Sequence, residues 1–521
     1  MDVIMNKLKT MDAKKWMQVL FFLFMAMGIF ARVWEFGIVP GDINPDEAFA
    51  GYEAYNLLHY GIDSAGYRFP VYLTTWGSGT SALNTYLMIP FMAVFGAKIW
   101  VIRLPQVIIA CLTLWAAYLL VKKLFHEKAA LCALFLLAIS PWHIGMSRWG
   151  MDCNMAPGFL IFGLYFFVRG LQEQKYLMLS ALMYGLSLYC YATIWPLVPL
   201  MVLLQLIYGF LFRKIRFNRY LVLSGIILAV LALPLLLFML VNMDYIEEIR
   251  LPFLSIPRLL VMRDSEISFS ELPLKAQRLW SVIKLQTDGL DWNSTSEYGI
   301  YYAGTLSFFV LGLFYCVKNS IEKVLQKKEA PELLLLIQIG GGTLLGLLIY
   351  ININRVNILF IPMIITAALG IYYLCSLIDL RYLILPAAFY LCMFIGFEHY
   401  YFTEYREIME YHFCEGLEDA VREAVTYEGQ IYVSRGLKHP SILFLAEEPV
   451  TEYIETVEYY NYPNAYLEAR SFGRFSYDFD PASPDTSAVY LLNQNVDLAP
   501  FEQAGFTLHT HHFYTVAHYE Q

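Results

Sequence analysis

The feature that most limits what this chain can become is a series of apolar runs of bilayer length. Runs near residues 16–38, 101–121, 129–146, 156–170, 177–192, 196–212, 220–241, 299–317, 332–350, 356–377 and 382–397 each approach the roughly 20 residues that an α-helix needs to cross a hydrocarbon core. Only 16% of the 521 residues are charged and 58% are hydrophobic, against about 25% charged in ordinary soluble proteins. The expected fold class is mainly α, a polytopic helical membrane bundle of eleven spans. Disorder, a collagen helix and nucleic-acid binding are excluded as principal identities.

Charge orients the bundle. The first run follows Lys7, Lys9, Lys14 and Lys15 and is too long for a cleaved signal, so it reads as a retained anchor. The stretch 83–96 is apolar but short and contains Pro90. If it lies on the membrane surface, the basic connectors 122–128, 213–219 and 318–328 all fall on the cytoplasmic side with the N-terminus, as the positive-inside rule requires. Segments 39–100, 142–155, 242–298 and 399–521 are then extracytoplasmic, with the short turn 351–355 beside them.

Two domains follow: a membrane domain over 1–398 and a small α/β domain over 399–521. The tail carries 20 acidic and 6 basic residues, a balance of −14 against +5 for the rest. It reads as a helix near 416–427, strands near 430–434 and 487–493, and one or two more over 506–519. His509, His511 and His512 cluster there, but alternation along a strand sends the third away from the first two, which disfavours a metal site. The eight Cys are scattered without a C-x-x-C pair and read as packing residues.

Ionisable groups inside a bilayer usually mark ion or substrate paths. The middles of the eleven runs contain none, which weakens an ion-coupled transporter. Charge sits instead at their outer ends: Arg32, Glu35, Arg103, Arg148, Asp152 and Arg355. Each arginine alone can snorkel to the interface. As a group on the face from which arginine is normally depleted, they suit a membrane-anchored phosphate, which guanidinium grips through paired donors.

A second signal is the run Asn44-Pro45-Asp46-Glu47 after the first span. Asn44 is a good N-cap, Pro45 fits the first helical position, and the two acids occupy the first turn. They either complement the helix dipole or provide a general base, Asp46, at the membrane mouth. Residues 286–293, with Asp288 and Trp292, read as a sugar-binding loop or a capped surface turn. Asn293-Ser294-Thr295 matches a glycosylation sequon of a kind common by chance.

Pro45-Asp46-Glu47-Ala48 resembles the first-loop Asp-Glu motif of protein O-mannosyltransferases and lipid A aminoarabinose transferases. The runs Arg103-Leu104-Pro105-Gln106, residues 118–125, and Ser140-Pro141 through Ser147-Arg148 are similar to that family's "R-L-P … L-F-G … S-P … S-R" series. Arg355 followed by Ile361-Pro362 resembles its "R-Y-x-x-P" element, with Val356 and Asn357 where an aromatic is expected. The likeness covers roughly 15–380, and the acidic tail lies outside it.

The resemblance implies a GT-C glycosyltransferase that takes a sugar from a polyprenyl phosphate outside the cytoplasm by inverting single displacement. Asp46 would take the acceptor proton, Glu47 would orient Asp46 or the acceptor, and Arg148, Arg355 and Arg103 would hold the donor phosphate. Asp152 would pair with Arg148 or meet substrate, and Asn357, Asp288 and Trp292 are the remaining candidate substrate contacts. No protein metal ligand and no resident cofactor are expected, with a divalent cation left open. The partners implied are the lipid-linked donor, membrane lipid, and a cell-envelope polymer, lipid or protein as acceptor. The competing function is a lipid-linked sugar flippase without catalysis, which would need no base.

Overall fold

The structure is a computed structural model that describes residues 13–262 and 269–519. Every apolar run becomes a helix. In chain order the longer helices are α1 (Ala13–Val33), α2 (Pro45–His59), α3 (Leu83–Phe95), α4 (Ile99–Leu124), α5 (Glu127–Ala138), α6 (Ala156–Gly170), α7 (Tyr176–Ser187) and α8 (Leu197–Leu211). They continue with α9 (Arg219–Asn242), α10 (Leu272–Leu285), α11 (Thr305–Leu325), α12 (Glu332–Leu348), α13 (Phe360–Ile378) and α14 (Ile384–Phe402). Seven helical segments among the described residues are long and apolar enough to cross a membrane. The stretch 83–96 forms α3, a helix of 13 residues, below that length.

Helices in lipid gain little from apolar burial against one another, so close approach through small residues matters. α11 and α13 show this. A Cβ on Gly312 would lie 1.9 Å from the Thr366 carbonyl oxygen, and one on Gly370 2.0 Å from that of Phe308. Either substitution forces the two backbones apart.

The tail begins with α15 (Glu404–His412) and α16 (Leu417–Ala424) and then builds a seven-stranded mixed sheet. Its strands are β1 (Ile431–Val433), β2 (Glu458–Tyr459), β3 (Ala469–Phe472), β4 (Phe475–Ser476), β5 (Val489–Asn493), β6 (Thr507–His511) and β7 (Tyr514–His518), in the spatial order β6-β7-β5-β1-β4-β3-β2. β1 pairs in parallel with both β4 and β5, and the other pairs are antiparallel. The tail does not build its core alone: Phe49 and Tyr52 of α2 share one apolar cluster with Leu443, Phe444 and Leu491. The first loop is thereby packed against the sheet domain.

His509 and His511 both contact the Glu423 carboxylate, and His512 turns to Glu410. Asn293 of the sequon match is buried in a packed turn, and its Nδ2 donates to Asp288 at 2.8 Å.

Candidate active site

The first turn of α2 is built as its sequence predicts. Asn44 Oδ1 accepts from the Asp46 backbone N–H at 3.0 Å, while the Asn44 N–H donates to Glu47 Oε1 at 3.2 Å, a reciprocal capping box with Pro45 at the first helical position. This fixes opposite directions for neighbouring acids. Asp46 is exposed and Glu47 is fully buried.

Glu47 is gripped by Arg103, whose Nη2 and Nε donate to its two oxygens at 2.5 and 3.1 Å. The remaining N–H groups of Arg103 go to the carbonyls of Pro40, Gly41 and Asp42. Glu47 also accepts from the Gly150 N–H at 2.7 Å. Pair and loop lock one another, and Arg103 has no donor left for a ligand.

Arg148 is committed in the same way. Its guanidinium donates to the carbonyls of Ala31, Arg32, Trp34, Glu35 and Val39, in the last turn of α1 and the chain just beyond it, where helical partners run out. It lies over the Tyr401 and Phe402 rings, 5.6 and 5.1 Å from their centroids. Arg32 donates to His143 and to the carbonyls of Gly28, Leu137 and Ala138. The expected four-arginine cluster is therefore not a shared ligand site: Arg32, Arg103 and Arg148 are fully buried structural cations. The expected Arg148–Asp152 pair is not made either, because all five Arg148 donors face backbone.

Arg355 is different. The turn that carries it is held by Lys275, whose Nζ donates to the Leu348 carbonyl, and by Asn352, which caps the short helix Ile353–Val356 through the Arg355 N–H at 2.8 Å. Its Nη1 donates to the Tyr350 carbonyl at 3.1 Å. Its side chain lines a cavity of about 510 Å³ together with Asp46, Asp152, Trp76 and Trp292. The same cavity is also lined by the apolar side chains of Trp195, Phe238, Met239, Met243 and Leu259.

The other expected residues support this wall. Asp152 Oδ2 accepts from the Ser81 N–H at 3.2 Å and Oδ1 from the Cys153 N–H at 2.7 Å. Asp288 is outside the cavity lining; its Oδ2 accepts from Asn293 and from the Ile353 N–H, tying the Trp292 loop to the Arg355 turn. Asn357 is buried behind the cavity, with Nδ2 donating to the Cys153 carbonyl at 3.0 Å. Of the expected site residues, the structure gathers Asp46, Asp152, Arg355 and Trp292 at the cavity and leaves Glu47, Arg103, Arg148, Asp288 and Asn357 in its supports.

Sequence reading missed Trp76. Its Nε1–H donates to Asp46 Oδ1 at 3.0 Å, and its backbone has φ +59°, a left-handed conformation costly for a bulky residue. The tail holds it there: the Leu467 N–H donates to the Trp76 carbonyl at 2.7 Å, and Gly77 forms a bridge with Tyr466. Gly77 has φ +99°, and a Cβ there would lie 2.3 Å from the Asn464 carbonyl oxygen, so only glycine fits beside the tail. The available signal was the Trp76-Gly77-Ser78-Gly79 turn, which says nothing about what it faces.

A second cavity of about 440 Å³ meets the first at Asp46, Trp76 and Trp292 and is walled on its other side by the tail. Among the described residues, one group of three His, Cys, Asp or Glu brings ligand atoms within 4.8 Å of one another: Glu423, His509 and His518, none of which lines either cavity.

ArnT of Cupriavidus metallidurans in the apo state has TM-score 0.52 and 11% identity to this chain, covering 97% of it and 98% of ArnT. The chain has the GT-C fold. The same GT-C likeness holds for ArnT bound to undecaprenyl phosphate, at TM-score 0.52, 12% identity and the same coverage. The apo oligosaccharyltransferase of Archaeoglobus fulgidus gives TM-score 0.49 at 14% identity over 83% of this chain, which spans 64% of that protein's length. Residues 82–241 match the model of the dolichyl-phosphate-mannose-protein mannosyltransferases. Among curated proteins none matches in sequence. The first loop, the 148–155 turn and the Arg355 turn meet at one cavity, and the first loop also packs against the sheet of the tail.

Proposed function

We infer that the protein transfers a sugar from a polyprenyl-phosphate donor to an acceptor hydroxyl by inverting single displacement on the extracytoplasmic face. The observation that carries this reading is the position of Asp46 at the junction of two cavities, one of which combines Arg355 with an apolar groove. A lipid phosphate sugar needs that combination: a cation for the phosphate and apolar walls for the chain. The fold shared with an ArnT bound to undecaprenyl phosphate and the mannosyltransferase match of residues 82–241 support the same donor class.

In the reaction, Asp46 accepts the proton of the acceptor hydroxyl as its oxygen attacks the anomeric carbon. The bond from that carbon to the phosphate oxygen breaks, and polyprenyl phosphate leaves with the bonding pair. Arg355 stabilises the negative charge on the leaving phosphate. Glu47, Arg103 and Arg148 act by fixing the loops that carry Asp46 and the 148–155 turn. Asp152 lines the same cavity as Asp46 and is a further candidate contact for the sugar.

The test is release of polyprenyl phosphate from a polyprenyl-phosphate sugar by purified protein in nanodiscs. Asp46→Asn lowers it about 10²–10⁴-fold with donor binding kept. A variant with more than about a tenth of wild-type turnover overturns the role of Asp46. A flippase would release no polyprenyl phosphate at all. A reporter active only in the cytoplasm and fused after Gln521 is expected to be silent, and activity there overturns the assigned face.

A further inference from the structure

The second cavity has a chemistry of its own. We propose that it binds an uncharged carbohydrate chain, so that the hydroxyl presented to Asp46 belongs to a glycan; this rests on the catalytic reading above and names its acceptor.

Position is the first argument. β1 and β5 run parallel side by side, and the loops that leave their carboxyl ends, 434–438 and 493–495, form the cavity wall. In open α/β sheets the crevice outside the carboxyl ends of parallel strands is where ligands bind. The two loops are tied together, with the Asn493 N–H donating to Ser434 Oγ at 2.8 Å and its Nδ2 to the Arg435 carbonyl at 3.1 Å. The crevice opens on Asp46.

The lining is the second argument. Trp76, Trp292, Tyr411 and Phe513 supply flat apolar surface, and Gln494 and Asn495 supply two consecutive amides, while the Asn493 amide holds the loops through the Arg435 carbonyl and the Asn495 N–H. An amide offers donors and an acceptor together, matching hydroxyls that do the same, while aromatic faces cover the C–H side of a sugar ring. The cations in the wall stand in exposed ion pairs, Arg435 with Asp478 at 3.2 Å and Lys438 with Glu468 at 3.1 Å, so part of their charge is already offset before a ligand arrives. Neither edge strand of the sheet, β6 or β2, lines the cavity, so a peptide cannot dock by strand addition.

The third argument is extent. A further cavity of about 350 Å³ shares the 435–438 wall and runs on to Tyr460 and Tyr477. With about 440 Å³ on one part of this loop and about 350 Å³ on another, the wall offers more than one place for a sugar ring, as a chain acceptor requires.

The experiment uses full-length protein in nanodiscs and saturation-transfer NMR with four probes: mannohexaose, chitohexaose, a serine- and threonine-containing peptide, and polyglycerol phosphate. Binding of a neutral oligosaccharide is expected, weakened about tenfold by Gln494→Ala with Asn495→Ala. Binding of undecaprenyl phosphate by that double variant stays at the wild-type level. Signal from the peptide or polyglycerol phosphate in place of the oligosaccharides overturns the proposal, as does oligosaccharide binding that the double variant leaves intact, or none at all. Because this readout requires no turnover, it is separate from failure of the transferase reading, which would appear as no release of polyprenyl phosphate.

Discussion

Arg103 and Glu47 form a fully buried, two-pronged ion pair, with Nη2 to Oε1 at 2.5 Å and Nε to Oε2 at 3.1 Å, directly beneath the exposed Asp46. The next residue along the chain is thus the anchor for the proposed base. Breaking a buried pair by removing one partner typically costs about 3–5 kcal/mol, because the other charge is left without compensation. Arg103→Ala and Glu47→Ala are expected to lower the apparent melting temperature and the yield of monodisperse protein. Arg103→Lys should not rescue, since an ammonium cannot span Glu47 and three carbonyls at once. Normal stability in either alanine variant would remove the anchoring role.

Arg148 and Arg355 should separate cleanly. Arg148→Lys removes most of the donors that close the end of α1, and the expected result is loss of thermal stability. Arg355→Ala should change stability by less than about 1 kcal/mol yet reduce use of a polyprenyl-phosphate donor about ten- to hundredfold, the worth of a charge-assisted hydrogen bond. Arg355→Lys should restore part of that loss. Donor kinetics together with unfolding curves on the same samples decide it, and a stable, fully active Arg355→Ala would move the phosphate site elsewhere.

Trp76→Phe keeps the ring against Phe49 and His439, whose centroids lie 5.5 and 5.6 Å away, but removes the N–H given to Asp46. Backbone strain is unchanged, because phenylalanine must adopt the same left-handed φ. The expected outcome is a kcat lower by about tenfold with the donor KM little altered. A rise in donor KM with kcat unchanged would assign Trp76 to binding instead.

Asp42 joins the first loop to the tail, its Oδ2 accepting from the Glu418 N–H at 2.8 Å. Burial raises its carboxyl to about 7, with Glu418, Glu415 and Asp419 adding to the rise and the Glu418 N–H opposing it. The folded-state value lies above the unfolded one of about 3.9, so the folded protein holds the extra proton between them. The associated stability is complete below pH ~4 and is lost as pH rises through about 7. Thermal unfolding between about pH 5 and pH 9 should show wild type weakening with pH, with about 2–4 kcal/mol of that loss due to Asp42, and Asp42→Asn weakening less and more stable at the alkaline end. Equal pH dependence in both would place the titration elsewhere.

Much of the site was legible locally. Asn44, Pro45, Asp46 and Glu47 specify a capped helix start by side-chain chemistry within four residues, and the structure has that start. The arginines were not legible in the same way. A guanidinium at a span end looks identical in sequence whether it waits for a phosphate or closes a helix terminus. Arg148 is fully buried among backbone carbonyls, whereas Arg355 lines the cavity, a difference set by their tertiary surroundings.

By itself the sequence determined the helices, since each apolar run of bilayer length has its backbone satisfied within one segment and needs no distant partner. It also determined the α2 cap, the short helix α3 and the mixed character of the tail. Tertiary structure decided which charges face the cavity, that Asp288 and Asn357 support the wall behind it, and that the tail reaches back to hold Trp76 in a left-handed turn against Asp46. These depend on contacts hundreds of residues apart, such as Leu467 with Trp76. No local periodicity encodes them, because the energy that selects them arises only when the helices and the sheet domain pack together.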